Sequence, residues 1–168
     1  VAAHIERLRA VNPILNAVVR SRVRDAMREA RDADRRVREE GPEGLPPFHG
    51  VPCTIKESFE LEGMPHTAGL VARRDCRGAT DAVTVARLRA AGAIPIGVTN
   101  VSELNMWMES SNRVYGRSNN PYDAARIVGG SSGGEGASVG GGIAPFGLGA
   151  DVGGSIRLPA FFNGVFGH

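Results

Sequence analysis

Apolar positions along the chain follow two kinds of pattern. From residue 23 to residue 37 they recur at helical spacing: Val23, Ala26, Met27, Ala30, Ala33 and Val37 make one stripe, and Arg, Asp and Glu fill the other faces. This predicts a long helix, N-capped by Ser21 and reaching about Glu40, with its charged face, Arg28 and Asp32 included, simply solvated. Gly41 and the prolines up to Pro47 stop it and make a loop. Short continuous apolar runs at 51–56 and 93–98 predict buried strands, with Pro95 arguing for an edge or irregular position. Between them, 82–91 reads as a helix capped by Asp81 and ended at Gly92. Upstream, 2–11 predicts a short helix stopped near Pro13, and 15–19 a strand. Downstream, 63–69 is a loop, 102–108 a helical turn and 119–123 a tight turn. A glycine-rich helix at 132–142, a strand at 143–150 and a helix at 156–162 complete the chain. Strands alternating with helices argue an α/β fold in layers, with no internal repeat.

Composition narrows the class. With 168 residues, 42% of them hydrophobic and a mean hydropathy of -0.15, the chain can hold one domain with a real core. No run approaches the ~18 to 20 apolar residues of a membrane span, and no secretory leader is visible. A cytoplasmic location is expected, with the start at Val1 leaving upstream sequence open. Net charge is only +2, and the Arg-rich first 44 residues are balanced by acids, which argues against nucleic-acid binding. Cys53 and Cys76 fit no CxxC motif or disulfide framework, and the 4 histidines show no metal spacing. No GxGxxG or Walker A motif occurs, so neither metal nor cofactor is expected.

Two features point to chemistry. Twelve of the 26 residues from Gly129 to Gly154 are glycine, and Ser131, Ser132 and Ser155 sit in or beside that stretch. Glycine lets other groups approach the main chain closely, which suits backbone N–H groups arranged for a ligand or an oxyanion. A flexible linker is the alternative, but the apolar runs 143–148 and 158–162 argue against it. The second feature is Lys56, the only lysine beside 19 arginines, placed at the end of an apolar strand. Arg cannot give up its proton, whereas a desolvated Lys can. Gly129-Gly130-Ser131-Ser132-Gly133 satisfies GxSxG, yet lacks the solid strand that a nucleophile elbow needs. Ser155 has the better context: strand, Gly-Gly turn, helix. A serine nucleophile needs a base, which leaves Lys56 or a histidine such as His49, with Lys56 preferred for its burial.

The motifs Gly50-Val51-Pro52 with Ile55-Lys56-Glu57, then Gly129 to Gly134, then Asp151-Val152-Gly153-Gly154-Ser155-Ile156-Arg157, resemble the amidase signature family in type, order and spacing. Glu135 in the glycine helix, and the segments around Ser110 and Tyr115, look more like the fatty-acid amide hydrolase branch than the amidotransferase A-subunit branch. Glu57 departs from the pattern, standing where many members have Asp. The resemblance implies α/β/α layers around a mixed sheet, with residues 1–168 as the N-terminal part of a single amidase domain cut short at its C-terminus. The 168-residue chain alone is then expected to be inactive or nearly so.

By the same resemblance Ser155 is the nucleophile, Ser131 a bridging serine joined to Gly130 by a cis peptide, and Lys56 the base. The N–H groups of Val152, Gly153, Gly154 and Ser155 would hold the oxyanion. Asn105 and Met106 are candidates for the pocket lining, and Asp151 and Arg157 are structural partners of the loop. To act as base, Lys56 must fall from about 10.4 toward about 7 to 8, within the reach of burial. The implied partner is a small-molecule amide, with a homodimer left open. The alternatives are an A-type subunit of a glutaminyl-tRNA amidotransferase and a non-catalytic truncated product.

Overall fold

The computed structural model describes residues 1–168. In chain order it contains α1 (Ala2–Leu15), β1 (Val18–Ser21), α2 (Val23–Glu40), β2 (Pro52–Lys56), α3 (Val83–Ala90), β3 (Ile94–Thr99), β4 (Ser111–Asn112), β5 (Gly116–Arg117), α4 (Gly133–Gly140), β6 (Gly147–Leu148) and α5 (Arg157–Asn163). One mixed sheet has the order β1-β3-β2-β6, with β1 antiparallel to β3 and the other pairs parallel. Strands β4 and β5 form a separate antiparallel ribbon.

Each face of the sheet closes its own core. On one side Cys53 and Ile55 of β2 pack with Val85 of α3, Leu61, Met64 and Val98. On the other, Ile94 and Ile96 of β3 pack with Leu8 and Leu15 of α1, Ala26 of α2 and Ala137 of α4. Strict alternation would send Ile96 and Val98 to the same face. The register supplies the exception: Cys53 pairs with Pro95 and Thr54 with Gly97, so Ile96 is an extra residue in β3. Such a bulge turns the strand by one residue. It also accommodates Pro95 in a central strand. The expected edge or irregular position for this proline is met by the irregularity, in a central strand.

Other local expectations shift for identifiable reasons. Helix α1 runs on through Pro13 to Leu15 and closes at Asn16, which is left-handed (φ 46) and donates its N–H to Asn12 O at 2.8 Å. Strand β1 therefore starts at Val18, and Ser21 ends it instead of capping α2, whose N-cap is Arg22. In α2 only Ala26 is fully buried; Ala30 and Ala33 are half-buried against the core, and Val37 is exposed. Asp81 does not cap α3 but accepts from Glu62 N and from Arg89. Strand β6 is only two residues long.

Helix α4 lies against β2, β3 and α5, and its glycines are what let it come so close. A Cβ on Gly134 would stand 2.4 Å from Asn100 N and 2.6 Å from Asn100 O, both main-chain atoms that cannot swing away. Gly134→Ala should therefore destabilise the intact protein by about 1–3 kcal/mol through overpacking. Urea unfolding measures this, and an unchanged midpoint would contradict the packing described.

Candidate active site

Side chains two apart on a strand share a face. Thr54 and Lys56 therefore point from β2 toward α4, while Cys53 and Ile55 point toward α3. Thr99 of β3 pairs in register with Lys56 and joins the same face. Lys56 ends up 1% exposed. Its Nζ donates to Ser131 Oγ at 2.7 Å and reaches Ala150 O at 3.4 Å. Burial pushes the Lys56 ammonium down to about 8, against the opposing pull of Glu135 and Asp151.

Ser131 is itself buried and follows a cis Gly130–Ser131 peptide. The surrounding loop is clamped by Ser110, whose Oγ lies 3.2 Å from both Gly129 O and Ser131 O and accepts Gly133 N–H at 2.8 Å. Ser102 Oγ is hydrogen-bonded to Trp107 O at 2.7 Å and Glu109 O at 2.8 Å, folding residues 102–109 against Gly130.

Ser155 is half-buried two residues before α5. Its carbonyl accepts Ser132 N–H at 3.1 Å, which ties the two loops together by backbone. The structure thus joins Lys56 and Ser131 directly, and brings the Ser155 segment alongside with no hydrogen bond between the two serine hydroxyls. His49, the competing base, is occupied elsewhere: its Nε2 lies 3.1 Å from Ala33 O of α2.

One expectation for the oxyanion loop needs correcting. The N–H of Gly154 is not free, because it donates to Asp151 Oδ1 at 2.7 Å. The same carboxylate accepts the N–H groups of Ile156 and Arg157 and the Arg157 guanidinium. That pairing with Arg157 holds Asp151 well below the usual carboxylate range. The N–H groups of Val152, Gly153 and Ser155 are left without a partner in the chain. Asn105 adopts a left-handed conformation (φ 59), and its Oδ1 is buried without a hydrogen bond. Next to it Met106 is exposed, as are Trp107 and Met108.

Two buried acids, visible in the sequence only as marks of family resemblance, belong to the site's framework. Glu57 follows Lys56 and accepts from Thr67 N–H (2.6 Å), Ala68 N–H (2.8 Å) and Tyr115 OH (2.6 Å). Glu135 accepts from Thr54 Oγ1 at 2.5 Å and Thr99 Oγ1 at 2.6 Å. The available signal for Glu135 was a lone acid in a helix otherwise made of Gly, Ala, Ser and Val.

All of residues 1–168 match the family model described as Amidase, and the chain belongs to the amidase family. It is 54% identical over 173 residues to fatty-acid amide hydrolase 2 of Homo sapiens, covering 100% of this chain and 32% of that protein. It is 45% identical over 165 residues to indoleacetamide hydrolase of Bradyrhizobium diazoefficiens, covering 98% of this chain and 31% of that one. A solved structure of fatty acid amide hydrolase superposes with a TM-score of 0.90 at 30% identity, covering 95% of this chain and 28% of that chain. The chain spans about a third of the length of the curated relatives it matches. No helix is long and apolar enough to cross a membrane.

The Glu57 cluster gives a prediction about this framework. Tyr115→Phe removes one of three donors to a fully buried carboxylate. Bonds to charged groups are worth about 1.5–3 kcal/mol, and the intact protein should lose stability of that order. Chemical denaturation that finds no loss would show that Tyr115 does not brace Glu57.

Proposed function

We propose that this chain carries the catalytic centre of an amide hydrolase working by a Ser–Ser–Lys relay. The observation that carries the reading is the buried 2.7 Å contact between Lys56 Nζ and Ser131 Oγ. An amine whose charged form is disfavoured by burial is a base near neutral pH. Neutral Lys56 accepts the Ser131 proton, Ser131 takes the Ser155 proton, and Ser155 Oγ attacks the amide carbonyl carbon. The N–H groups of Val152, Gly153 and Ser155 receive the developing oxyanion, while Asp151 keeps the Gly154 N–H as a fixed strut of the loop. The proton returns through Ser131 to the leaving amine, giving an ester on Ser155. Water then cleaves that ester and releases the acid.

The substrate class is a fatty-acid or other hydrophobic amide. Identity to a fatty-acid amide hydrolase supports it, as do the exposed side chains of Met106, Trp107 and Met108 in the segment whose main chain packs on Gly130. Asn105 Oδ1, buried and unpaired, is available to a donor on the substrate.

Three outcomes test this on the intact enzyme. A fluorophosphonate should label Ser155, read by mass spectrometry; a stable adduct on Ser131 instead would reverse the two serines. Lys56→Ala and Lys56→Arg should each lower kcat/KM by about 10²- to 10⁴-fold, since neither side chain can take the Ser131 proton. Because the folded-state value of Lys56 is lowered, its neutral form appears as pH rises through about 8, and activity should rise over that interval. An active Lys56→Arg enzyme with an unaltered pH profile would rule out the relay.

A further inference from the structure

We propose that Glu135 is a positioning residue whose charge, held on the same face of the sheet, sets the charge state of Lys56, so that the two side chains titrate as an electrostatically coupled pair. The inference rests on the Ser–Ser–Lys reading above.

The geometry begins with the sheet. Thr54, Lys56 and Thr99 share one face, and α4 lays Glu135 on that face between the two threonines. Glu135 is 7% exposed. Both its carboxylate oxygens are engaged, one by each threonine hydroxyl, and Thr54 Oγ1 also lies 3.3 Å from Ser138 Oγ of the same helix. Neither hydroxyl carries charge, and no arginine reaches this carboxylate. The cation on this face is therefore Lys56, the chain's only lysine. A buried acid without a direct ion pair, hydrogen-bonded through neutral donors beside the one buried amine, is a costly arrangement for stability alone. It becomes intelligible if the acid's charge is used.

The other groups around the pair are accounted for. Asp151, from the loop after β6, acts on Lys56 through its charge alone and is fixed in its ionised form by Arg157. Cys53 points from β2 to the opposite face, and burial pushes its thiol up to about 12. Ser131 is the only side chain bonded to Nζ. A groove of about 530 Å³ borders Glu135 between α4, β6 and α5, and its one other titratable wall residue is His168. His168 bonds neither side chain, which leaves Lys56 and Glu135 as the two titratable groups that this face of the sheet holds together. Burial pushes the Glu135 carboxyl up and the Lys56 ammonium down, which brings two ordinarily distant ionisations toward each other.

The sign follows from Coulomb's law. Ionised Glu135 favours the ammonium of Lys56 and so raises its value toward the ordinary one. Removing that charge makes the amine neutral at lower pH and also makes it a weaker base. Glu135→Gln keeps the shape, with the amide able to accept from one threonine and donate to the other.

The test is the pH profile of kcat/KM for the intact enzyme on a simple aryl amide. In Glu135→Gln the midpoint of the acid limb should move down by about one pH unit or more, with a lower plateau. Glu135→Asp, which keeps the charge, should hold the midpoint near wild type. If Glu135→Gln does not fold, Thr99→Val takes its place. Loss of that donor raises the Glu135 value, and the limb should again move down. An unmoved limb in a folded Glu135→Gln or Thr99→Val enzyme, or equal shifts in the Gln and Asp variants, would overturn the inference. Failure of the underlying reading is distinct, because there Lys56→Ala would retain activity. An inactive Lys56→Ala beside an unmoved Glu135→Gln limb would remove Glu135 alone from the mechanism.

Discussion

The removal of one amine from water is the constraint on which the rest of this structure depends. An ammonium at the end of β2 cannot be solvated, so its charged form is disfavoured and the site has to be built around that cost. Strand alternation aims Lys56 at α4, and α4 must then come down on the strand to exclude water. A helix with ordinary side chains would stand off by several ångströms. The run of glycines in α4 closes that distance, with main chain against main chain at Asn100 just past β3, and lets α5 approach the helix from another side at Asn163. Glycine in a helix is intrinsically unfavourable, by roughly 1 kcal/mol per residue relative to Ala. Helix α4 is thus stabilised by tertiary packing, with Ser110 Oγ accepting the N–H of its first residue, Gly133.

The same logic accounts for the loops. A backbone that supplies N–H groups to a ligand cannot also use them internally. In the proposed oxyanion loop the Asp151 carboxylate holds the N–H groups at the far side of its turn, those of Gly154, Ile156 and Arg157, while those of Val152, Gly153 and Ser155 have no partner in the chain. Arg157 neutralises the carboxylate at the surface, so the turn is braced without placing an uncompensated charge beside the serines.

What was legible in the sequence was whatever depends on local pattern. The α2 stripe, the apolar run of β2 and the isolation of Lys56 among arginines all follow from periodicity and side-chain chemistry, and the structure puts Lys56 at the end of a buried strand. Asp151 and Arg157 could be read as loop partners because they flank one turn. Illegible were features decided by distant contacts. Pro95 reads as an edge or irregular residue, and only the register tells which: a bulge opposite Cys53 and Thr54 makes room for it in a central strand. Pro13 reads as a stop although it falls in the last turn of α1. The Gly154 N–H looked available because nothing in the sequence says which way a carboxylate three residues earlier will turn. Glu135 was visible only as a residue type, since its meaning lies in two threonines from two other strands.

That last case bears on how proton transfer in such a site is to be understood. A fixed charge and a mobile one have different effects on a base. Asp151, tied to Arg157 and three main-chain N–H groups, stays ionised over the working range and adds a constant bias to Lys56. Glu135 is held by neutral hydroxyls alone, and its carboxyl lies within reach of neutral pH. When two adjacent groups titrate over the same interval, the observed steps belong to the pair and not to either residue. As Lys56 becomes charged, Glu135 is drawn toward its ionised form, and the net charge of the interior changes less than either group alone would require. A low-dielectric core can accommodate such an exchange far better than it can a lone ammonium. On this reading, the carboxylate facing the lysine lowers the cost of the intermediate in which Lys56 carries the serine's proton, without forming the salt bridge that would stop it from giving that proton back.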